Sequence, residues 1–476
     1  MTDKSIYHQI LRHFPHEPTS DQQSAIRHIS AFDESSKPNP VYLLKGFAGT
    51  GKTSLVSAYV QMLAAHHKKF VLLAPTGRAA KVLSKYTGRS AHTIHRYIYQ
   101  ISTSGEGFYK IQLAHNRSKN TVFIIDEASM ISDSSQNGGA VFGGRNLFED
   151  LVTYVFSNEN NKMILVGDTA QLPPVGLDVS PALDLSYIKS SFHVTAYEFE
   201  MKEVMRQELD SGILATATRL REMISREDAV SRLFFKEDFK TDIEVIDDGN
   251  TFEELLHETF DTNDMEQGIV VCRTNKRANL FNRQVRNNIL ARESEIEGGD
   301  VMMVVKNNYY WLDKDAKAGF IANGDIIKAV RVKRTEDMYG FRFADADILL
   351  VDYPEEKEFS VKLLLSTIYS EGPGLPETER NTLFRNIEED YRDIADKNKR
   401  MNEIMKNPWY NALHVKFAYA MTCHKTQGGQ WPHVFVDQGY LTDEMINTEY
   451  LRWLYTAVTR ATVKLYLVNF NPAFFG

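Results

Sequence analysis

The chain has 476 residues, 43% hydrophobic and 25% charged, an ordinary globular balance with length for roughly two to four domains. No apolar run approaches the roughly eighteen residues that cross a bilayer, and the polar start, Met1–Ile10, lacks the apolar centre of a secretory signal. The net charge of −8 excludes a chain that is basic throughout, although much of the acid sits between Glu371 and Asp396, and a local basic groove is still allowed. Two cysteines, Cys272 and Cys423, without metal-ligand spacing speak against a disulfide framework or structural zinc; a reducing, cytoplasmic compartment is expected.

In chain order, Val41–Lys45 reads as a strand leading into a glycine-rich turn and a helix over Thr53–His66. Phe70–Ala74 reads as a second strand, followed by a helix over Arg78–Lys85. A small insertion over about 87–120 precedes further strands at Thr121–Ile125 and Lys162–Val166, with a glycine-rich loop at Gly138–Gly144 between those two. Short apolar strands joined through helices predict a parallel sheet covered on both faces. The pattern returns with a strand at Gly268–Cys272, a helix over Lys276–Leu290, and strands at His433–Val436 and Lys464–Val468 around a helix at Glu449–Arg460.

Between those segments, Asp300–Asp352 is a series of β-rich runs with turns at Asn307-Asn308, Asn323-Gly324-Asp325 and Tyr339-Gly340, which predicts a small antiparallel barrel. Leu383, Ile387, Tyr391 and Ile394 at helical spacing predict an appended surface helix whose acidic run is a solvated face. The expected fold class is α/β, with a first parallel-sheet domain over 1–190, a second over 191–299 and 413–476, and the barrel with its helical segment over 300–412.

Gly46-Phe47-Ala48-Gly49-Thr50-Gly51-Lys52-Thr53 matches the P-loop pattern between a strand and a helix. Its glycines let backbone N–H groups of Gly46, Ala48, Gly49, Thr50 and Gly51 turn toward phosphate at the positive end of a helix. Lys52 would reach the β- and γ-phosphates and the Thr53 hydroxyl would ligate Mg²⁺. Ile124-Ile125-Asp126-Glu127 ends an apolar strand in two acids, placing Asp126 at the metal and Glu127 at the attacking water as general base. These parts alone define a nucleotide triphosphatase that uses ATP and Mg²⁺; kinases, transporters and switches share them.

With eight further strings the chain resembles the superfamily-one helicases, most closely their Dda-like and RecD-like branch. Thr19-Ser20-Asp21-Gln22 is similar to the family's Q motif, in which Gln22 would read the adenine edge. Leu73–Ala80 and Ala91–His95 resemble strand-holding motifs, which implies nucleic-acid contacts from Pro75, Thr76, Arg78, His92, Thr93 and His95. Gly167–Val175 looks like the coupling motif, with Gln171 sensing the γ-phosphate. Val204–Gln207 and Tyr455–Ala461 resemble motifs that supply arginine fingers, here Arg206 and Arg460. Met421–Trp431 is similar to a motif bridging strand and nucleotide, with Thr422, His424 and Lys425 facing nucleic acid and Gly428 on the nucleotide side. Arg273–Lys276 resembles its strand-holding companion and brings in Asn275.

The resemblance implies two RecA-like motor domains, an SH3-like barrel with a recurrent turn at Asn323–Asp325, and a duplex-splitting pin in the 87–120 insertion. It also implies 5′-to-3′ movement on single-stranded DNA and at duplex junctions, no membrane, replication or repair proteins as partners, and a monomer. Tyr97, Trp311 and Trp431 are the aromatic candidates for base stacking. An RNA-directed helicase and a strand-stimulated ATPase that does not unwind remain open on residues alone, as does a binding module with a dead ATP site, against which the intact Lys52, Glu127 and Arg460 speak.

Overall fold

The computed structural model describes residues 5–103, 109–133, 145–204, 211–226, 241–260, 266–312, 316 and 318–475. The first part supplies β1 (Pro40–Gly46), β2 (Lys69–Ala74), β3 (Ala91–Thr93), β4 (Tyr99–Thr103), β5 (Tyr109–Leu113), β6 (Thr121–Ile125), β7 (Lys162–Gly167) and β8 (Thr195–Met201). Six of these form one sheet in the order β3-β2-β6-β7-β1-β8, parallel at every pairing. β1 is buried on both sides: Tyr42 and Leu44 enter one core and Val41 and Leu43 the other, the period of two that a strand imposes. A parallel sheet also puts every strand's carboxyl end on one edge. That edge collects the segments after β1, β2, β6 and β7, which are far apart in sequence.

β4 and β5 pair antiparallel, Tyr99 opposite Leu113, as a two-stranded ribbon inside the 87–120 insertion. The Gly138–Gly144 loop lies outside the described residues.

A second sheet begins with β9 (Ile243–Ile246) and β10 (Gly268–Cys272) and is then interrupted. The interruption is a closed barrel of β11 (Val301–Val304), β12 (Ile326–Met338), β13 (Phe341–Leu350), β14 (Phe359–Leu364) and β15 (Leu413–Phe417). The sheet resumes with β16 (Ala420–Thr422), β17 (Trp431–Asp437) and β18 (Ala461–Val468), giving the parallel order β16-β10-β17-β18-β9. The molecule is thus α/β, two RecA-like sheets with an SH3-like barrel set into the second.

Two expected boundaries move. β8 lies beyond residue 190 yet pairs with β1 from Pro40↔Thr195 to Gly46↔Met201, so the first domain runs further. Its polar Glu198 and Glu200 disguise an edge strand as a linker. β15 lies beyond residue 412 yet closes the barrel against β11 and β14, and the second sheet resumes only at β16. The appended helix Glu377–Glu389 carries Leu383 and Ile387 onto Phe341, Phe343 and Leu364, but it ends before Tyr391 and Ile394, contrary to the expected spacing.

Both chain crossings between the second domain and the barrel are tied to one buried carboxylate. Asp300, just before β11, takes a bidentate pair from Arg286 at 2.9 Å on each oxygen, a third bond from Arg292 at 2.6 Å, and the Tyr419 hydroxyl at 3.0 Å. Removing it leaves a buried arginine without its charge partner, so Asp300→Ala is expected to cost about 3–5 kcal/mol in a denaturant melt.

The barrel also rests on the first domain. A Cβ added to Gly77 would lie 2.7 Å from Asp325 Oδ1 and 3.3 Å from the Tyr353 hydroxyl, a close approach only glycine allows. Asp325 is fully buried and burial pushes its carboxyl up to about 8. A raised folded value means stability that is complete below the unfolded value of about 3.9 and is lost as pH rises through about 8. Thermal melts of Asp325→Asn are therefore expected to fall less between pH 6 and pH 9 than those of the unaltered chain.

Candidate nucleotide site and strand cleft

β1 ends in the glycine-rich turn as the sequence implied. Gly49 and Gly51 hold left-handed φ of 74° and 84°, which side chains disfavour. A Cβ on Gly46 would stand 2.9 Å from Thr50 Oγ1 and 3.2 Å from both Lys52 Cγ and Met201 Cβ, so the cradle closes only around glycine. Gly51 caps the helix Lys52–Ala65 without a side-chain bond, leaving the first-turn N–H groups to face an anion. Lys52 Nζ donates to the carbonyls of Gly46 (2.7 Å) and Phe47 (2.8 Å), and Thr53 is exposed beside it. These features fit a nucleotide triphosphate.

Asp126 and Glu127 follow β6 on the same edge. Asp126 takes the Tyr86 hydroxyl at 2.7 Å and the Glu127 N–H at 2.9 Å, and burial raises its pKa. Glu127 sits at φ 52°, a left-handed turn that aims its side chain off the strand line. Its pKa is raised by burial first and then by Asp126, while Arg460 and Lys52 pull it down. Among the described residues no three His, Cys, Asp or Glu side chains are arranged to hold a metal ion by themselves. Thr53 and Asp126 with phosphate oxygens are the sparse set that Mg²⁺ accepts.

Arg460 comes from the other domain. It is buried, its guanidinium held by the Thr456 carbonyl (3.0 Å) and the Gly429 carbonyl (3.2 Å). Gln171 is buried at the domain seam, and its Oε1 has no hydrogen-bond partner among the described residues. Arg206 lies outside the described residues.

Two of the expected nucleotide residues also make contacts within the protein. Gln22 is buried under the P-loop, where its amide donates to the Thr50 carbonyl at 3.0 Å and accepts from Thr19 N–H at 3.0 Å. These two bonds brace the phosphate loop from below. Gly428, at φ 73°, has Ala79 and Thr76 as nearest neighbours, so it lies at a contact between the domains.

The residues expected to contact the strand lie at the carboxyl edges of both sheets. Pro75 and Thr76 leave β2 beside His92 and Thr93, since Leu73 pairs with His92 and Ala74 with Thr93. Asn275 follows β10 next to Thr422, as Cys272 pairs with Thr422. Thr76 and Thr93 cap the helices Gly77–Thr87 and Ile94–Ile98, donated to by the N–H groups of Ala79 and Arg96. Burial lowers His92 and His424, and pushes His95 down to about 4, so His95 is a neutral ring near pH 7. Lys425 is pushed down to about 8 by burial and by Lys416, with no hydrogen-bond partner for its Nζ among the described residues.

Arg78 is engaged within the protein: its guanidinium stacks 3.8 Å above Trp431 and reaches the Gln430 carbonyl at 3.4 Å. Trp431 is 2% exposed and belongs to the second domain's core, which removes it as a stacking platform. Tyr97 packs edge-on to Phe123 and Tyr154 and Trp311 donates to the Asn411 carbonyl at 2.7 Å, and both rings are half-buried.

Residues the sequence did not single out complete the seam. Tyr455 and Thr456 bond the coupling segment and the P-loop, Gln427 Nε2 donates to the Leu172 carbonyl at 2.7 Å, and Tyr86 orients Asp126. The strings around Tyr455 and Gln427 marked the region, but only contact identifies the atoms; Tyr86 carried no signal.

Two parallel-sheet domains closing over one P-loop, with a buried arginine delivered from the far side, define a two-domain P-loop nucleotide triphosphatase. Comparison with known proteins narrows this. Residues 17–233 match the AAA domain family model and 417–468 the UvrD-like helicase C-terminal domain model. The ATP-dependent DNA helicase dda of Enterobacteria phage T4 is 23% identical over 449 residues, covering 89% of this chain and 93% of that protein. The ATP-dependent RecD2 DNA helicase of Deinococcus radiodurans is 30% identical over 178 residues, 37% of this chain and 21% of that protein. A solved structure of two coordinating Pif1 helicases at forked DNA aligns at 14% identity and a TM-score of 0.45, covering 96% of this chain and 93% of that one. The two domain matches and the helicase relatives support a superfamily-one helicase of the Dda-like and RecD-like kind.

Lys52→Ala and Glu127→Gln are each expected to lower ATP turnover at least ~100-fold while strand affinity stays within about threefold. Steady-state ATPase assays and fluorescence anisotropy with a labelled oligonucleotide check both halves.

Proposed function

We propose that this helicase couples ATP hydrolysis to 5′-to-3′ movement along single-stranded DNA and to opening of the duplex ahead of it, in replication, repair or recombination. The observation that carries the reading is the split site: Glu127 and Lys52 stand on one domain, and the charge of Arg460 reaches Glu127 from the other. Turnover then needs the domains together, which ties hydrolysis to their relative motion.

In this reading the P-loop amides and Lys52 bind the triphosphate, Glu127 takes a proton from the attacking water, and Arg460 neutralises charge on the γ-phosphoryl oxygens. Mg²⁺, held by Thr53 and Asp126, would supply further charge neutralisation at the phosphates. The edges bearing Thr76, His92 and Thr93 on one domain and Asn275, Thr422, His424 and Lys425 on the other grip the strand in alternation. The β4–β5 ribbon would part the duplex in this reading. The relatives named as ATP-dependent DNA helicases support DNA over RNA as the track.

Arg460→Ala is expected to reduce strand-stimulated turnover by about 10³-fold. ATP turnover should rise with single-stranded DNA and not with single-stranded RNA of the same sequence. Displacement of a labelled strand should require a 5′ tail; displacement from a 3′ tail alone would reverse the polarity.

A further inference from the structure

The P-loop touches the second domain at its tip. Phe47 and Ala48 pack against that domain's core, and the Arg221 guanidinium lies 4.9 Å from the centre of the Phe47 ring. One polar atom sits at the centre of this contact. The Tyr455 hydroxyl accepts the Ala48 N–H at 2.8 Å and donates to Asp168 Oδ2 at 2.6 Å. Tyr455 is fully buried, so its one donor and its acceptor capacity are spent on these two groups away from water.

The partners lie in three separate motifs. Ala48 belongs to the phosphate cradle, and Asp168 opens the coupling segment, where its other oxygen accepts the Ala170 N–H at 2.9 Å. Tyr455 stands on the helix Thr448–Val458, one turn ahead of Arg460. The next residue, Thr456, accepts the Leu172 N–H through its hydroxyl at 2.8 Å. The helix therefore grips the coupling segment at two points and the phosphate loop through a single phenol. A shift of the Ala48 backbone cannot occur without moving or breaking the tyrosine's bonds, and the tyrosine moves with the helix that delivers Arg460.

We infer that Tyr455 is a positioning residue that transmits the state of the phosphate loop to the coupling segment and the second domain, linking nucleotide binding to grip on the strand. This rests on the motor reading above and names the atom through which that reading operates. The linkage appears as the factor by which a nucleotide changes strand affinity, a coupling that is typically 5- to 150-fold in size. Tyr455→Phe keeps the ring packing and removes only the hydroxyl.

The test measures dissociation constants of a fluorescent oligo-dT with and without saturating AMP-PNP, for the full chain. The unaltered protein is expected to show a several-fold factor. In Tyr455→Phe that factor falls to within about twofold of one, while affinity for the oligonucleotide alone stays within about threefold. A Tyr455→Phe protein that keeps the original factor overturns the inference. Asp168→Asn, which weakens the same bond from the other side, gives a second route if the phenylalanine variant does not fold. Its factor should also collapse, and the double variant should lose no more than either single one; independent, additive losses overturn the inference. No factor in the unaltered protein removes the motor reading and the inference together, which separates that failure from the first.

Discussion

The loops that leave β1 and β7 carry backbone N–H and C=O groups that no neighbouring strand can satisfy, and a buried polar group without a partner is costly. In this protein the helix Thr448–Val458 and the segment before β17 supply those partners from the other domain. Tyr455 takes Ala48, Thr456 takes Leu172 through its N–H, and Gln427 takes the Leu172 carbonyl. Domain contact is thus a condition for satisfying the phosphate loop and the coupling segment, and that dependence shapes everything around it. The glycines at 428 and 429 let the second domain come close enough: added Cβ atoms would strike Ala79 at 2.7 Å and Arg78 Nε at 2.6 Å.

The electrostatics follow the same division. Asp126, Glu127 and Asp168 cluster at the carboxyl ends of β6 and β7, where burial favours the protonated forms of Asp126 and Glu127 and repulsion from Asp126 adds to it at Glu127. Lys52 offsets this from within the first domain and Arg460 from the second. The charge balance at the proposed base consequently depends on where the second domain stands. A movement that withdraws Arg460 raises the cost of ionising Glu127 as well as removing a stabilising cation, so both effects act in the same direction.

Away from the nucleotide, the barrel is a third party to domain contact. Asp300 ties its entry and exit strands to the second domain, while Asp325 meets Gly77 at the start of the helix that follows β2. The helix it touches is the one whose first turn carries the expected strand contacts. The barrel is therefore braced against both motor domains.

The sequence by itself determined the class of fold and the location of the phosphate loop. Alternating strands and helices have two distinct periodicities, and a glycine string between a strand and a helix has few physical uses. It also located the barrel, because turn residues recur at short intervals between Asp300 and Asp352. Tertiary structure alone decided which side chains are free to meet a ligand. Gln22, Arg78 and Trp431 carry the right chemistry in the right strings, yet packing commits each of them to a protein partner. Tyr455 and Tyr86 became visible as site residues only because segments hundreds or tens of residues away arrive within hydrogen-bonding distance. Local pattern encodes backbone conformation, which depends on near neighbours; the occupation of a polar atom depends on what the fold brings to it, and no local pattern carries that.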